Sequence, residues 1–191
     1  DNITNVQLPS FFIYDGTTDN DSIRIYYTVD DDDAVLAGGF RDENNALSGI
    51  YTLENALSGN TYTFSAIAED SAGNVSAEGV GLDVTIDITG SDQPSRPDLI
   101  NSFDSGNDST DNITNLSTFD FSVTGLTEGD SVKIRDSNSE VVAKDLIEGT
   151  SANLTVYAAV SSIYTSETID IAGNLSLVSD GLGVTVDQTA P

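Results

Sequence analysis

The chain has 191 residues, enough for two compact domains of about 95 residues each at the usual domain size. Its 32 acidic residues outnumber 6 basic ones, giving a formal charge of −26, a field that repels nucleic acid and anionic lipid headgroups. Without Cys, His, Met or Trp the chain has no disulfide, no thiolate or imidazole zinc site, no Ser-His-Asp triad and no Cys-His pair, so oxygen is the metal-binding chemistry left.

Self-comparison reveals two copies of one pattern. Asp1-Asn2-Ile3-Thr4-Asn5 recurs as Asp111-Asn112-Ile113-Thr114-Asn115, at an offset of 110. Asp70-Ser71-Ala72-Gly73-Asn74 recurs as Asp170-Ile171-Ala172-Gly173-Asn174, and Gly81 to Asp87 recurs as Gly181 to Asp187, both at an offset of 100. The order is the same in both copies, so two homologous modules are expected, the second ten residues shorter between these landmarks.

Taken in chain order, the apolar residues alternate with polar ones, the period of a half-buried strand. In the first copy Ile23, Ile25, Tyr27 and Val29 should face inward while Arg24, Tyr26 and Thr28 face out. Tyr62, Phe64, Ala66 and Ala68 form a second stripe, and Leu82, Val84 and Ile86 a third. Gly90 to Pro97 is polar, carries two of the four prolines and reads as a linker. In the second copy the stripes are Phe119, Phe121 and Val123, then Val132 and Ile134, then Leu154 and Val156, then Leu182, Val184 and Val186. The strand at Ser162 to Asp170 presents Tyr164, Ser166 and Thr168 inward, which predicts a looser second core there. Turn clusters such as Asp15-Gly16, Ser58-Gly59-Asn60, Glu128-Gly129-Asp130 and Asp136-Ser137-Asn138 punctuate the strands at sandwich-like spacing, and no stretch has a helical period. The expected fold is all-β: two tandem immunoglobulin-like β-sandwich domains over 1–90 and 98–191, joined by a linker at 91–97. Residues 98–110 precede the second copy and have no counterpart before Asp1, so the first domain is expected to lack its N-terminal strand in this chain, leaving an open sheet edge. No apolar run approaches the ~18 residues of a membrane span, and the N-terminus lacks the basic and apolar regions of a signal peptide, so direct membrane insertion is not expected.

Calcium takes six to eight oxygen ligands from carboxylates, amides, backbone carbonyls and water. Asp104 to Asn112 offers such oxygens at nearly every residue, with Gly106 letting the chain curl, and its best candidates are Asp104, Asp108, Asp111 and Asn112. The exit of the second sandwich adds Asp187; the corresponding first-copy donors are Asp1, Asn2 and Asp87. The competing reading is a solvated turn rich in Asp and Asn. Asp70 with Asn74, and Asp170 with Asn174, occupy the loop before the last strand, where self-capping of a tight turn competes with metal ligation. Oxygen donors on both sides of the linker, Asp87, Asp92, Asp98 and Asp170 among them, make a calcium-stiffened junction a further expectation. The run Asp30 to Asp33 is either a solvated hairpin tip or a surface calcium or ligand loop.

Paired carboxylates alone do not argue for a glycosidase, since no cleft-forming insertion or aromatic sugar platform accompanies them, and no enzyme activity is expected. Sequons at Asn74, Asn115 and Asn174 leave a cadherin-like ectodomain as a minor alternative. Phe12, Tyr14 and Tyr26 fall on outward positions of the first copy and, with Asp31, are the candidate surface for an extracellular peptide or glycan; an edge strand covering a neighbour is the plainer reading.

The motifs Pro94-x-x-Pro97-Asp98-Leu99, Asp104-Ser-Gly-x-x-Ser-Thr-Asp-Asn-Ile-Thr-Asn115, Asp170-x-Ala-Gly-Asn-x-Ser176 and Val184-Thr-x-Asp187-x-Thr189-Ala-Pro191 resemble the bacterial Ig-like repeats of giant secreted surface adhesins of the repeats-in-toxin and biofilm-associated type. The resemblance covers Pro94 to Pro191 and only Asp1 to Asn5, Asp70 to Asn74 and Val84 to Asp87 of the first copy. It implies a calcium-stiffened module of a long extracellular fibre on a bacterial surface, cut from a much larger protein, with neighbouring repeats of the same chain as its partners.

Overall fold

The computed structural model describes residues 2–14, 22–29, 33–41, 48–157 and 160–190. The chain divides into two compact units, Asp1–Thr89 and Gly90–Pro191, and every regular element among the described residues is a β-strand.

In the first unit the strands are β1 (Ile3–Thr4), β2 (Ser10–Tyr14), β3 (Ser22–Val29), β4 (Val35–Arg41), β5 (Ser48–Thr52), β6 (Asn60–Glu69) and β7 (Leu82–Ile86). One sheet has the order β1-β7-β6-β3-β4 and the other is the pair β2-β5. Alternation puts Ile23, Ile25, Tyr62, Phe64, Val84 and Ile86 on the buried face, where they meet Tyr51, Leu53 and Leu57. Phe11 of β2 closes on Phe64 with ring centroids 4.5 Å apart, tying the small sheet to the large one. The stripes fade at their ends. Tyr27, Val29, Ala66 and Ala68 pack on the core while remaining partly exposed, and Leu82, expected inside, is 43% exposed.

The second unit contains β8 (Asp98–Leu99), β9 (Ile113–Thr114), β10 (Thr118–Thr124), β11 (Ser131–Arg135), β12 (Val141–Leu146), β13 (Ser151–Tyr157), β14 (Ser162–Ile169) and β15 (Leu182–Val186). Its sheets run β13-β10-β8 and β12-β11-β14-β15-β9. The plan repeats that of the first unit, down to the parallel pairing of a two-residue strand with the last one: β1 with β7, β9 with β15. Phe119, Phe121 and Tyr164 form a buried aromatic trio, and the Tyr164 hydroxyl donates to the Val160 carbonyl at 2.7 Å.

Two expectations change here. The strand carrying Tyr164, Ser166 and Thr168 does point these residues inward, but all three are buried, and the Ser166 hydroxyl is fastened to distant chain. The Ser166 amide donates to Ser179 Oγ, the Thr168 amide to Ser176 Oγ, and the Ser166 hydroxyl to the Ser95 carbonyl; among these groups Thr168 Oγ1 is left without a partner. The Ser166 hydroxyl therefore anchors neighbouring chain at a core position, and the Thr168 hydroxyl does not. Residues 91–97, which read as a linker, are fastened to the second unit. The Ser95 amide donates to the Thr124 carbonyl, the Gln93 side chain donates to the Val178 carbonyl, and Pro94 and Pro97 are buried. The sequence shows only their polarity and prolines, and their partners lie about thirty or more residues away along the chain.

Beside β10 lies β8, through Leu99 opposite Phe121 and Asp98 opposite Ser122. Beside β2, among the described residues, β5 is the sole partner.

Candidate functional site

The loop from Asn101 to Asn112 is built around Asp104. A turn closes when the Phe103 amide donates to the Ile100 carbonyl at 2.7 Å, and this carries Asp104 beneath the loop, where it is 5% exposed. One of its oxygens, Oδ2, accepts the Asn112 amide at 3.0 Å, and Asn112 holds a left-handed φ of 60° to present it. The other oxygen, Oδ1, is buried with no hydrogen-bond partner. The loop is pinned below by Thr114, whose hydroxyl donates to the Phe103 carbonyl at 2.7 Å, and by Ser105 and Asn115, which bond reciprocally.

The remaining carboxylates of the loop cap their own turns. Asp108 Oδ1 accepts both the amide and the hydroxyl of Thr110, and Asp111 Oδ1 accepts the Ile113 amide at 3.0 Å. The exit strand is stitched to the loop, since the Thr185 amide donates to the Asn112 carbonyl and the Asp187 amide to the Thr114 carbonyl. The Asp187 side chain accepts the Thr189 amide. In the first unit the same stitching joins Thr85 to Asn2 and Asp87 to Thr4, and Asp87 accepts the Thr89 amide; Asp1 lies outside the described residues. Among the described residues no three carboxylates already converge as a metal cluster.

Asp70 and Asp170 make the same loop twice. In each, Oδ1 accepts the amide of the Asn four residues on, and Oδ2 accepts that Asn's side-chain amide, at 2.7 Å for Asn74 and 2.9 Å for Asn174. The Asn74 side-chain amide, followed by its backbone N–H, holds the Asp70 carboxyl below the ordinary aspartate range. Gly73 and Gly173 complete both turns at φ of 87° and 96°. Their geometry is that of a self-capped turn. Asp92 and Asp98 are exposed.

The aromatic candidates do not form one lining. Phe12 is 71% exposed on β2 and Tyr26 is half-buried on β3, in different sheets, while the Tyr14 side chain and Asp31 lie outside the described residues. Phe12 instead lines a groove of about 240 Å³ with Phe11, Ile25, Phe64, Ala66 and Val80. Sequence reasoning missed this groove. Its one signal was Gly79-Val80 standing where the second copy has Ser179-Asp180.

A second polar cluster also went unforeseen. Glu167, buried on the outer face of β14, accepts from Lys133 Nζ at 3.1 Å and from Arg135 Nη2 at 2.6 Å and Nε at 3.0 Å.

Facing sheets with these connections define each unit as an immunoglobulin-like β-sandwich. Residues 1–88, nearly the whole first unit, match the family model of the bacterial Ig-like domain. The second unit carries the first unit's motifs in the same order. Among solved structures the chain is similar to the FN1–FN3 domains of chicken CNTN1, at 11% identity and a TM-score of 0.55, covering 97% of this chain and 62% of that one. It is also similar to the BSP domain of a biofilm-associated protein, at 20% identity and a TM-score of 0.36, covering 99% of this chain and 29% of that one. A tetra-tandem repeat in the extending region of a large adhesion protein is similar at 21% identity and a TM-score of 0.34, covering 97% of this chain and 47% of that one. No curated protein sequence matches the chain.

Proposed function

We propose that this pair of modules is a calcium-stiffened, non-catalytic extender of a large bacterial cell-surface adhesin, displayed outside the cell in series with further repeats and supporting adhesion or biofilm formation. The family match of residues 1–88 and the repetition of its motifs in the second unit support a serial bacterial Ig-like module. Each strand of about seven residues rises ~25 Å, so every sandwich adds reach. The surface charge of −26 keeps such a fibre soluble and resists sticking.

The observation that carries the calcium reading is Asp104. A buried carboxylate oxygen without a hydrogen-bond partner is costly, and Oδ1 is so placed at the head of a loop dense in oxygen donors. A hard cation there relieves the cost. Asp104 Oδ1 would supply one ligand, and Asp108, Asp111 and Asn112 retain further oxygens within the same loop.

The test compares the protein with Asp104→Asn in calcium and in chelator. With Kd ~10⁻⁴ to 10⁻³ M, typical of extracellular modules, 10 mM calcium should stabilise the second unit by about 1.4 to 2.7 kcal/mol. Amide exchange at Phe121 and Val132 reports this unit. The wild type should gain protection with calcium and Asp104→Asn should not. Identical exchange in calcium and chelator for the wild type would leave a self-capped turn as the whole explanation.

A further inference from the structure

The two sheets of the second unit end side by side on one flank, where β13 closes the three-stranded sheet and β12 the five-stranded one. Along β13 the period of two buries Leu154 and Val156 and turns Asn153, Thr155 and Tyr157 outward in a single row. At ~3.3 Å per residue this row runs about 13 Å from end to end. A polar groove of about 410 Å³ is lined by the row and by β12, which contributes Lys144 and Asp145.

Tyr157 is 74% exposed at this groove, whereas Tyr164, the other tyrosine of the unit, is buried. The core does not call for a ring there, since Tyr157 points away from Leu154 and Val156. The polar groups beside it are uncommitted. Among the described residues the side chains of Lys144, Asn153 and Thr155 have no hydrogen-bond or ion-pair partner, and Asp145 gives only Oδ1, to the Leu146 amide. Lys133 and Arg135, by contrast, are neutralised by Glu167.

We propose that this groove binds a neutral glycan, a di- or trisaccharide stretch laid along β13. The C–H face of one pyranose ring would stack on Tyr157, whose flat ring offers apolar area at low entropic cost. The sugar hydroxyls would pair with the Asn153 amide, the Thr155 hydroxyl, the Lys144 ammonium and Asp145 Oδ2, a set that both donates and accepts. Charge selects against acidic sugars. Asp145 balances Lys144 in the lining, Asp120 stands opposite Thr155 on β10, and the whole chain carries −26. The site uses none of the candidate calcium donors and adds a lateral contact to an extender.

The experiment titrates the 191-residue chain with two neutral trisaccharides, cellotriose and chitotriose, and follows its amide and tyrosine-ring NMR signals. At millimolar sugar at least one of them should shift Asn153, Thr155 and Tyr157 saturably and leave Phe121 and Val132 in place. Tyr157→Ala should weaken that binding roughly tenfold or more through loss of the stacked ring, while Tyr157→Phe should retain it. Unchanged amide exchange at Phe121 and Val132 verifies that both variants remain folded. The absence of a saturable shift with either trisaccharide overturns the proposal, as does binding that Tyr157→Ala leaves undiminished. Tighter binding at these residues by a glucuronate-containing trisaccharide or by an extended peptide also overturns it, since the groove would then select charge or main chain instead of a neutral ring.

Discussion

Replacing Glu167 by Gln tests how this acidic protein uses its few cations. Of the 6 basic residues, Lys133 and Arg135 converge on this one carboxylate. They stand two apart on β11, on the same face, and Lys133 also lies between Glu167 and Lys144 in a cross-strand row. The Lys133 and Glu167 side chains are 12% and 6% exposed, and that of Arg135 is 28% exposed. Removing one member of a fully buried pair costs about 3 to 5 kcal/mol, because the partner is left desolvated without a counterion. Arg135 keeps part of its hydration, which lowers the expectation for Glu167→Gln to about 2 to 3 kcal/mol. Burial acts to raise the Glu167 pKa, but hydrogen bonds from Arg135 and Lys133 and their charges outweigh it and hold the carboxyl below the ordinary range. A depressed carboxyl contributes its stability above its unfolded pKa, about 4.3, and loses it as pH falls through the lower folded value. Amide exchange at Phe121 and Val132, followed from pH 7 into acid, should show a wild-type advantage over Glu167→Gln that is full at neutral pH and vanishes in strong acid. Equal protection at pH 7, or a difference that grows in acid, would refute this account of the cluster.

Further outcomes follow from the core and the loops. Phe119→Ala empties a fully buried ring site and should cost the second unit about 3 to 5 kcal/mol in denaturant melts. Tyr164→Phe removes the donor to Val160 and should cost about 1 kcal/mol; burial also raises the Tyr164 pKa, so its ultraviolet ionisation should lag behind that of an exposed tyrosine as pH rises. Carboxyl NMR titration of Asp70 should give a midpoint below that of ordinary aspartates, with the Ala72 and Asn74 amide shifts moving at the same pH. An ordinary midpoint would show that the capped turn does not persist in solution.

Much of the architecture was legible along the chain because strands and repeats write themselves locally. Alternation marked Ile23, Ile25, Phe119, Phe121, Val132 and Ile134 as core, and the repeated motifs marked two modules of one plan. The inward polar residues of β14 were also correctly placed, but what they do was not legible, since the partners of Ser166 are Ser95 and Ser179 at distant points in sequence. The same holds for the site residues. Asp104 stood among several equivalent aspartates in the sequence, and only the turn at Ile100 and the left-handed Asn112 single it out as buried with one oxygen unpaired. Glu167 looked like any surface acid until β11 and β14 came together. Leu82 and Leu182 make the point most directly. Both sit in Gly-Leu-x-Val-Thr, the period-two pattern assigns both to the core, and yet 43% of one and 4% of the other meet solvent. Local sequence determines which way a side chain points from its strand, whereas burial depends on what the rest of the fold lays over it: Leu182 lies in one buried cluster with Leu99, Phe121 and Tyr164, a grouping that no local pattern encodes.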